Sequence, residues 1–193
     1  MKGSIWIAGR ETTIWVDGVE IPVETDFRVG LLLWSILQDD TLPPLVRSRL
    51  FVRIAVGKDY DGADTPRQKL LLALLDFYGF AAVADGKGTD RPVLDLFADG
   101  ERIVASFQAA YGIDLLHTSL HWHQFQALLR QLPPDTVLMQ VIRLRLLDLR
   151  QIEDDALRHR LRQAKRAVQL PDPAGKQEGA QYTGQKGEEP YGG

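Results

Sequence analysis

The amino-acid sequence predicts a mainly α-helical, compact domain over residues 1–170, with a β-hairpin near its start (residues 12–24) and a disordered tail over residues 171–193. Three observations carry that expectation. Apolar residues between Phe27 and Val168 recur every three or four positions, the spacing that gathers them on one face of a helix. An Asp17-Gly18 pair stands between two β-prone runs, where it suits the positive φ values of a type I′ turn. Beyond Pro171 no aliphatic residue is larger than Ala180, so that Gly-, Pro- and Gln-rich segment has little apolar surface to offset its ordering entropy.

Taken in order, Thr12 to Glu24 supplies the hairpin. Thr25 is placed to cap a helix with Asp26 in its first turn. Gly30 to Leu37 is apolar on almost every face, so this helix is expected to be buried and to end near Asp39-Asp40. Pro43-Pro44 opens a second helix in which Val46, Leu50 and Ile54 share a face, Gly57 is the stop, and Arg47, Arg49 and Arg53 are solvated. A third core helix follows a Thr65-Pro66 cap and runs apolar from Leu70 to Tyr78, where Gly79 breaks it. Ala84 to Pro92 has the chemistry of a surface loop, and Val93 to Phe97 reads as a short strand.

In the C-terminal half, Ile103, Phe107 and Tyr111 repeat every four residues over a helix from Asp99 to Tyr111, with Gly112 and Ile113 as its stop. A second helix, Ser119 to Gln131, carries Trp122, Phe125 and Leu129 as an apolar stripe and ends at Pro133-Pro134, which makes the pair a helical hairpin. Thr136 to Leu147 is a further apolar helix. Asp154 to Val168 has only the narrow stripe Leu157, Leu161, Ala164 and Val168, as expected of a helix on the surface.

The hydrophobic share of 45% and charged share of 25% are those of an ordinary folded chain, and 193 residues suit one domain. With no cysteine there is no disulfide, no thiolate ligand and no cysteine nucleophile, which suits a cytoplasmic protein. The apolar stretch ending at Ala8-Gly9 is too brief for a signal peptide, and the run Leu70 to Val83, interrupted by Asp76, falls short of the roughly 20 residues that span a bilayer. A net charge of −3 gives no overall attraction to nucleic acid.

The search for chemistry is brief. His117 and His121 are spaced i, i+4 with Asp114 near, a conceivable zinc-dependent centre; the competing reading is a histidine beside tryptophan satisfying one buried hydrogen bond. Asp59, Asp61 and Asp64 resemble a calcium loop, but Leu70 stands where a bidentate glutamate is required. Gly86-Lys87-Gly88-Thr89 lacks the spacing of a phosphate-binding loop, and no hydrolase or dinucleotide signature occurs. Neither a cofactor nor a catalytic activity is therefore expected. Arg143, Arg145, Arg150, Arg158, Arg160, Arg162, Lys165 and Arg166 make the last helices basic, partly balanced by Asp148, Glu153, Asp154 and Asp155. A solvated face is the first reading, an acidic protein partner the second and nucleic acid the last. Arg158, Arg162, Lys165, Tyr182 and Tyr191 are the candidate partner contacts.

The stretch Phe107-Gln108-Ala109-Ala110-Tyr111-Gly112-Ile113-Asp114-Leu115, followed by Leu120-His121-Trp122-His123-Gln124-Phe125, closely resembles the signature of the tailed-phage family known as gene product fifteen. That signature runs F-x-x-x-Y-G-I-D-L, then L-H-W-W-x-F, so His123 replaces its second tryptophan. The likeness extends from about Ile14 to Leu170 through Val16-Asp17-Gly18, Thr25-Asp26-Phe27-Arg28, Asp76-Phe77-Tyr78-Gly79 and Asp95-Leu96-Phe97-Ala98-Asp99, and on to Arg143 and Lys165. The resemblance makes Phe107, Tyr111, Gly112, Asp114, His121, Trp122 and Phe125 signature residues with a structural role. It also implies a tail assembly chaperone of a long-tailed phage or prophage, acting in the bacterial host cytoplasm on the tape-measure and tail-tube proteins, with self-association possible. A minor structural component of the tail or virion is one alternative, and a metal-dependent enzyme centred on His117, His121 and Asp114 is the other.

Overall fold

The computed structural model describes residues 11–57, 67–81 and 93–171. Asp17 (φ 49°) and Gly18 (φ 84°) both take positive φ, as a type I′ turn requires. They join strands β1 (Thr13–Val16) and β2 (Val19–Pro22) into an antiparallel pair with Trp15 opposite Glu20. The two-residue period of the strands then sends Ile14, Val16 and Ile21 into the core and leaves Trp15 and Glu20 outside.

Seven α-helices follow among the described residues: α1 (Phe27–Gln38), α2 (Pro44–Ala55), α3 (Arg67–Tyr78), α4 (Gly100–Tyr111), α5 (Trp122–Arg130), α6 (Val137–Leu146) and α7 (Asp155–Ala167), with a short 3-10 turn at Leu149–Gln151 before the last. Helix α1 packs on α2 and α5, α3 packs on α2 and β1, and α4 packs on α6. The mainly helical reading with an N-terminal hairpin is what the chain forms. Gly57, Gly79 and Gly112 all take positive φ at helix ends, as the stops required.

Six local expectations give way. The first helix is capped by Asp26, whose carboxylate accepts the Arg28 N–H at 2.8 Å, because the Thr25 carbonyl is taken by the Trp122 N–H at 2.7 Å. Its core face is Phe27, Gly30, Leu33 and Ile36, and Leu32 is 47% exposed, so the helix is not buried all round. In α2 the buried face is Phe51, Val52 and Ala55, not Val46, Leu50 and Ile54: Phe51 meets Tyr78 and Phe80 edge to face, and that aromatic contact sets the helix's rotation. Arg47 accordingly turns inward, donating to the carbonyls of Leu37 and Leu42.

The segment Val93 to Phe97 is not a strand, because the Asp95 carboxylate accepts the N–H groups of Phe97 and Ala98 at 2.8 Å each and curls the chain into a turn before α4. Helix α5 begins at Trp122 instead of Ser119, since Ser119 donates its hydroxyl to Asp26 at 2.6 Å and His121 serves as cap. No residue of α7 is buried, in keeping with a surface helix. The Thr65-Pro66 cap, the Ala84–Pro92 loop, the Asp59–Asp64 and Gly86–Thr89 motifs, and the tail from 172 on with Tyr182 and Tyr191 lie outside the described residues.

Candidate functional site

The signature residues converge on one junction, where the turn into α1 meets the turn into α5. Asp26 and His121 form an isolated antiparallel bridge, with Phe27 N–H donating to the Leu120 carbonyl at 2.9 Å. Arg28 locks it: its guanidinium donates to the carbonyls of Leu115, Leu116 and Thr118 at 3.1 to 3.2 Å and to the Asp26 carboxylate. Burial raises the pKa of Asp26, but hydrogen bonds from Ser119 and the Arg28 N–H, with the Arg28 charge, outweigh it and leave the carboxyl below its usual range.

Trp122 is fully buried, donates Nε1–H to the Tyr78 carbonyl at 2.9 Å, and lies flat against Gly30. Phe125 stacks on Phe27 at 5.0 Å, on Phe107 at 5.4 Å and on Trp122 at 5.8 Å, and Phe107 meets Tyr111 edge to face. The Tyr111 hydroxyl donates to the Leu128 carbonyl at 3.0 Å and so ties α4 to α5. His123, where the signature has tryptophan, keeps its ring 4.7 Å from Phe77 and bonds the Phe77 carbonyl.

Two open apolar grooves flank this aromatic column. One, of about 270 Å³, is walled by Phe27, Leu31, Ile103, Val104, Leu115 and Leu116. The other, of about 380 Å³, is walled by Trp34, Leu94, Trp122, Leu129, Met139 and Ile142. Leu96 and Phe125 line both, and Leu116 and Phe97 stand 68% and 57% exposed. Helical periodicity did not point to these grooves, because their walls come from several elements and from the irregular segments before α4 and α5.

A family model described as bacteriophage Gp15 protein matches residues 11–170. The chain belongs to the bacteriophage Gp15 family. Comparison with curated proteins and with solved structures finds no match. The Gp15 match spans nearly the whole described fold, and most of the motifs that suggested it sit at the α1–α5 junction and at a second one.

That second Gp15 junction holds a buried charge pair that sequence spacing did not suggest. Asp99, with no exposed surface, accepts two bonds from Arg145, at 2.6 and 2.8 Å, and one from Arg102 at 2.9 Å. Arg145 also donates to the carbonyls of Val93 and Val168, so one side chain joins the turn before α4, α6 and the end of α7. Burial raises the Asp99 pKa, but the Arg145 hydrogen bonds, with lesser help from Asp95 and Arg102, bring the net value below 3.8. The only sequence signal was the Asp95–Asp99 motif itself.

The residues considered for a metal are otherwise engaged. His117 Nδ1 contacts the Asp114 carboxylate at 2.7 Å, whereas His121 donates from Nε2 to the Glu11 carbonyl and accepts the His123 N–H on Nδ1. Burial lowers the His121 pKa and favours that neutral ring. Among the described residues no three His, Asp or Glu side chains gather into a metal-holding group. Of the basic candidates, Arg158 donates to the carbonyls of Ile152 and Glu153 and so fixes the lead-in to α7, Lys165 donates to that of Leu147 and helps to dock the helix, and Arg162 is exposed. Among the described residues no helix is long and apolar enough to cross a membrane.

Proposed function

We propose that this chain is a tail assembly chaperone that binds the phage tape-measure protein, keeps its apolar helices soluble in the bacterial host cytoplasm, and helps recruit tail-tube subunits. The observation that supports this reading best is the pair of open apolar grooves meeting at Leu96 and Phe125, with Phe97 and Leu116 exposed. An amphipathic helix presents apolar side chains on successive turns of one face, and two neighbouring grooves suit such side chains while charged neighbours stay in water. Exposed apolar groups that adjoin open apolar grooves offer the contiguous contact area that marks interaction surfaces. Membership in the Gp15 family supports the phage setting.

Co-expression with the tape-measure protein tests the reading. The parent chain is expected to co-purify with it, and Phe97→Glu combined with Leu116→Glu to lose it while keeping the melting midpoint. Undiminished capture by that variant would remove the grooves from the mechanism. Mass spectrometry of purified virions separates a chaperone from a minor tail component, since a chaperone is absent there and a minor tail component is present in fixed stoichiometry.

A further inference from the structure

Among the described residues strand β1 is paired on one side only. In an antiparallel ladder hydrogen-bonded pairs alternate with non-bonded ones; here Val16 with Val19 and Ile14 with Ile21 are bonded, so the N–H and C=O groups of Thr13 and Trp15 point away from β2. The bond from the Val23 N–H to the Thr12 carbonyl keeps that phase. Glu11 continues the outer edge, and its carbonyl is taken by His121 at 2.9 Å. The outer backbone groups of Thr13 and Trp15 have no partner among the described residues.

Those groups border a groove of about 510 Å³ whose other wall is the Ala73, Asp76 and Phe77 face of α3. Trp15 stands 67% exposed beside it. Glu11 and Glu20 line it, no lysine or arginine lines it among the described residues, and Lys69, on the same helix as Ala73 and Phe77, is tied to Asp17 at 2.7 Å. The edge of β2 is closed instead: Pro22 has no N–H and the Glu24 N–H donates to the Ala55 carbonyl.

We infer that a basic, extended segment of a partner protein adds to β1 as a third strand, its Lys or Arg side chains meeting Glu11 and Glu20 and one of them lying over the Trp15 indole. Open main-chain groups supply strand pairing, the carboxylates select for positive charge, and an exposed indole favours a cation on its face. The surface shares no lining residue with either apolar groove, so this inference and the chaperone reading stand or fall separately.

The test uses the full chain and three synthetic peptides: one alternating valine with lysine and arginine, its counterpart with glutamate at the basic positions, and the basic peptide N-methylated at every residue. Calorimetry is expected to show binding of the first and at least tenfold weaker binding of the other two. The amide resonances of Thr13 and Trp15 should move on titration, and Glu11→Lys with Glu20→Lys should weaken binding at least tenfold without lowering the melting midpoint. Equal affinity for the N-methylated peptide would exclude strand pairing, equal affinity for the acidic one would exclude charge selection, and failure of the basic peptide to bind or shifts confined elsewhere would overturn the inference outright.

Discussion

At Gly30 the constraint is space. A Cβ there would fall 2.1 Å from Trp122 Cε3 and 2.4 Å from Cδ2, so only glycine lets the indole lie against α1. Trp122→Ala should cost about 3–5 kcal/mol through lost burial and the cavity left behind, and Gly30→Ala about 1–3 kcal/mol through overpacking. Because each change relieves the other's defect, the double variant should lose less than the sum of the singles, which a double-mutant cycle from urea unfolding measures. Strict additivity would show that the two residues do not share the contact. Asp99 is the electrostatic counterpart. Its folded pKa lies below the unfolded value near 3.8, so the stability it contributes is complete above that value and is lost as pH falls through the folded one. Asp99→Asn leaves Arg145 buried without its counter-charge and should cost about 3–5 kcal/mol at neutral pH. The gap between variant and parent should narrow as unfolding is followed down toward pH 3; a pH-independent gap would mean that Asp99 acts by packing alone.

Among the elements, sequence pattern succeeded where one local rule decided the outcome. Asp17-Gly18 made the hairpin, the four-residue repeat of Ile103, Phe107 and Tyr111 made α4, and glycines ended three helices. It failed where distant partners decided: the rotation of α2 follows Phe51 against Tyr78 and Phe80, and the start of α5 follows Ser119 and His121 being claimed by Asp26 and Glu11. Neither relation leaves a periodic trace in the chain. Helix α7 follows its composition most closely, with no buried residue and with Leu157 41% exposed. Its docking relies on Arg145 holding the Val168 carbonyl and Lys165 holding the Leu147 carbonyl. Few buried contacts mean a low free energy of local opening, so α7 amides should exchange with solvent faster than those of α4 in native-state hydrogen exchange. Equal protection in the two helices would show α7 to be part of the cooperative core.

For the whole molecule, the signature residues read from the sequence now have a common location: most of them meet around the α1–α5 junction and its aromatic column. What the sequence could not reveal is how the surface is assembled, because each groove draws its walls from segments far apart in the chain, and Asp99 and Arg145 lie 46 positions apart. The family match ends at residue 170, the point where aliphatic side chains larger than alanine stop in the sequence. Pro171 to Gly193 holds six glycines, and its only aromatic residues are Tyr182 and Tyr191. A segment of that composition has little to bury, so its removal should leave the thermal midpoint of the body nearly unchanged. The body should also retain capture of the tape-measure protein, since both apolar grooves lie within residues 27–142. If tail-tube subunits are recruited through the tail, the same truncation lowers the yield of assembled tails, and Tyr182→Ala with Tyr191→Ala in the full chain reproduces the loss. A truncation that unfolds the body, or that abolishes tape-measure capture while the body stays folded, would refute this division of labour.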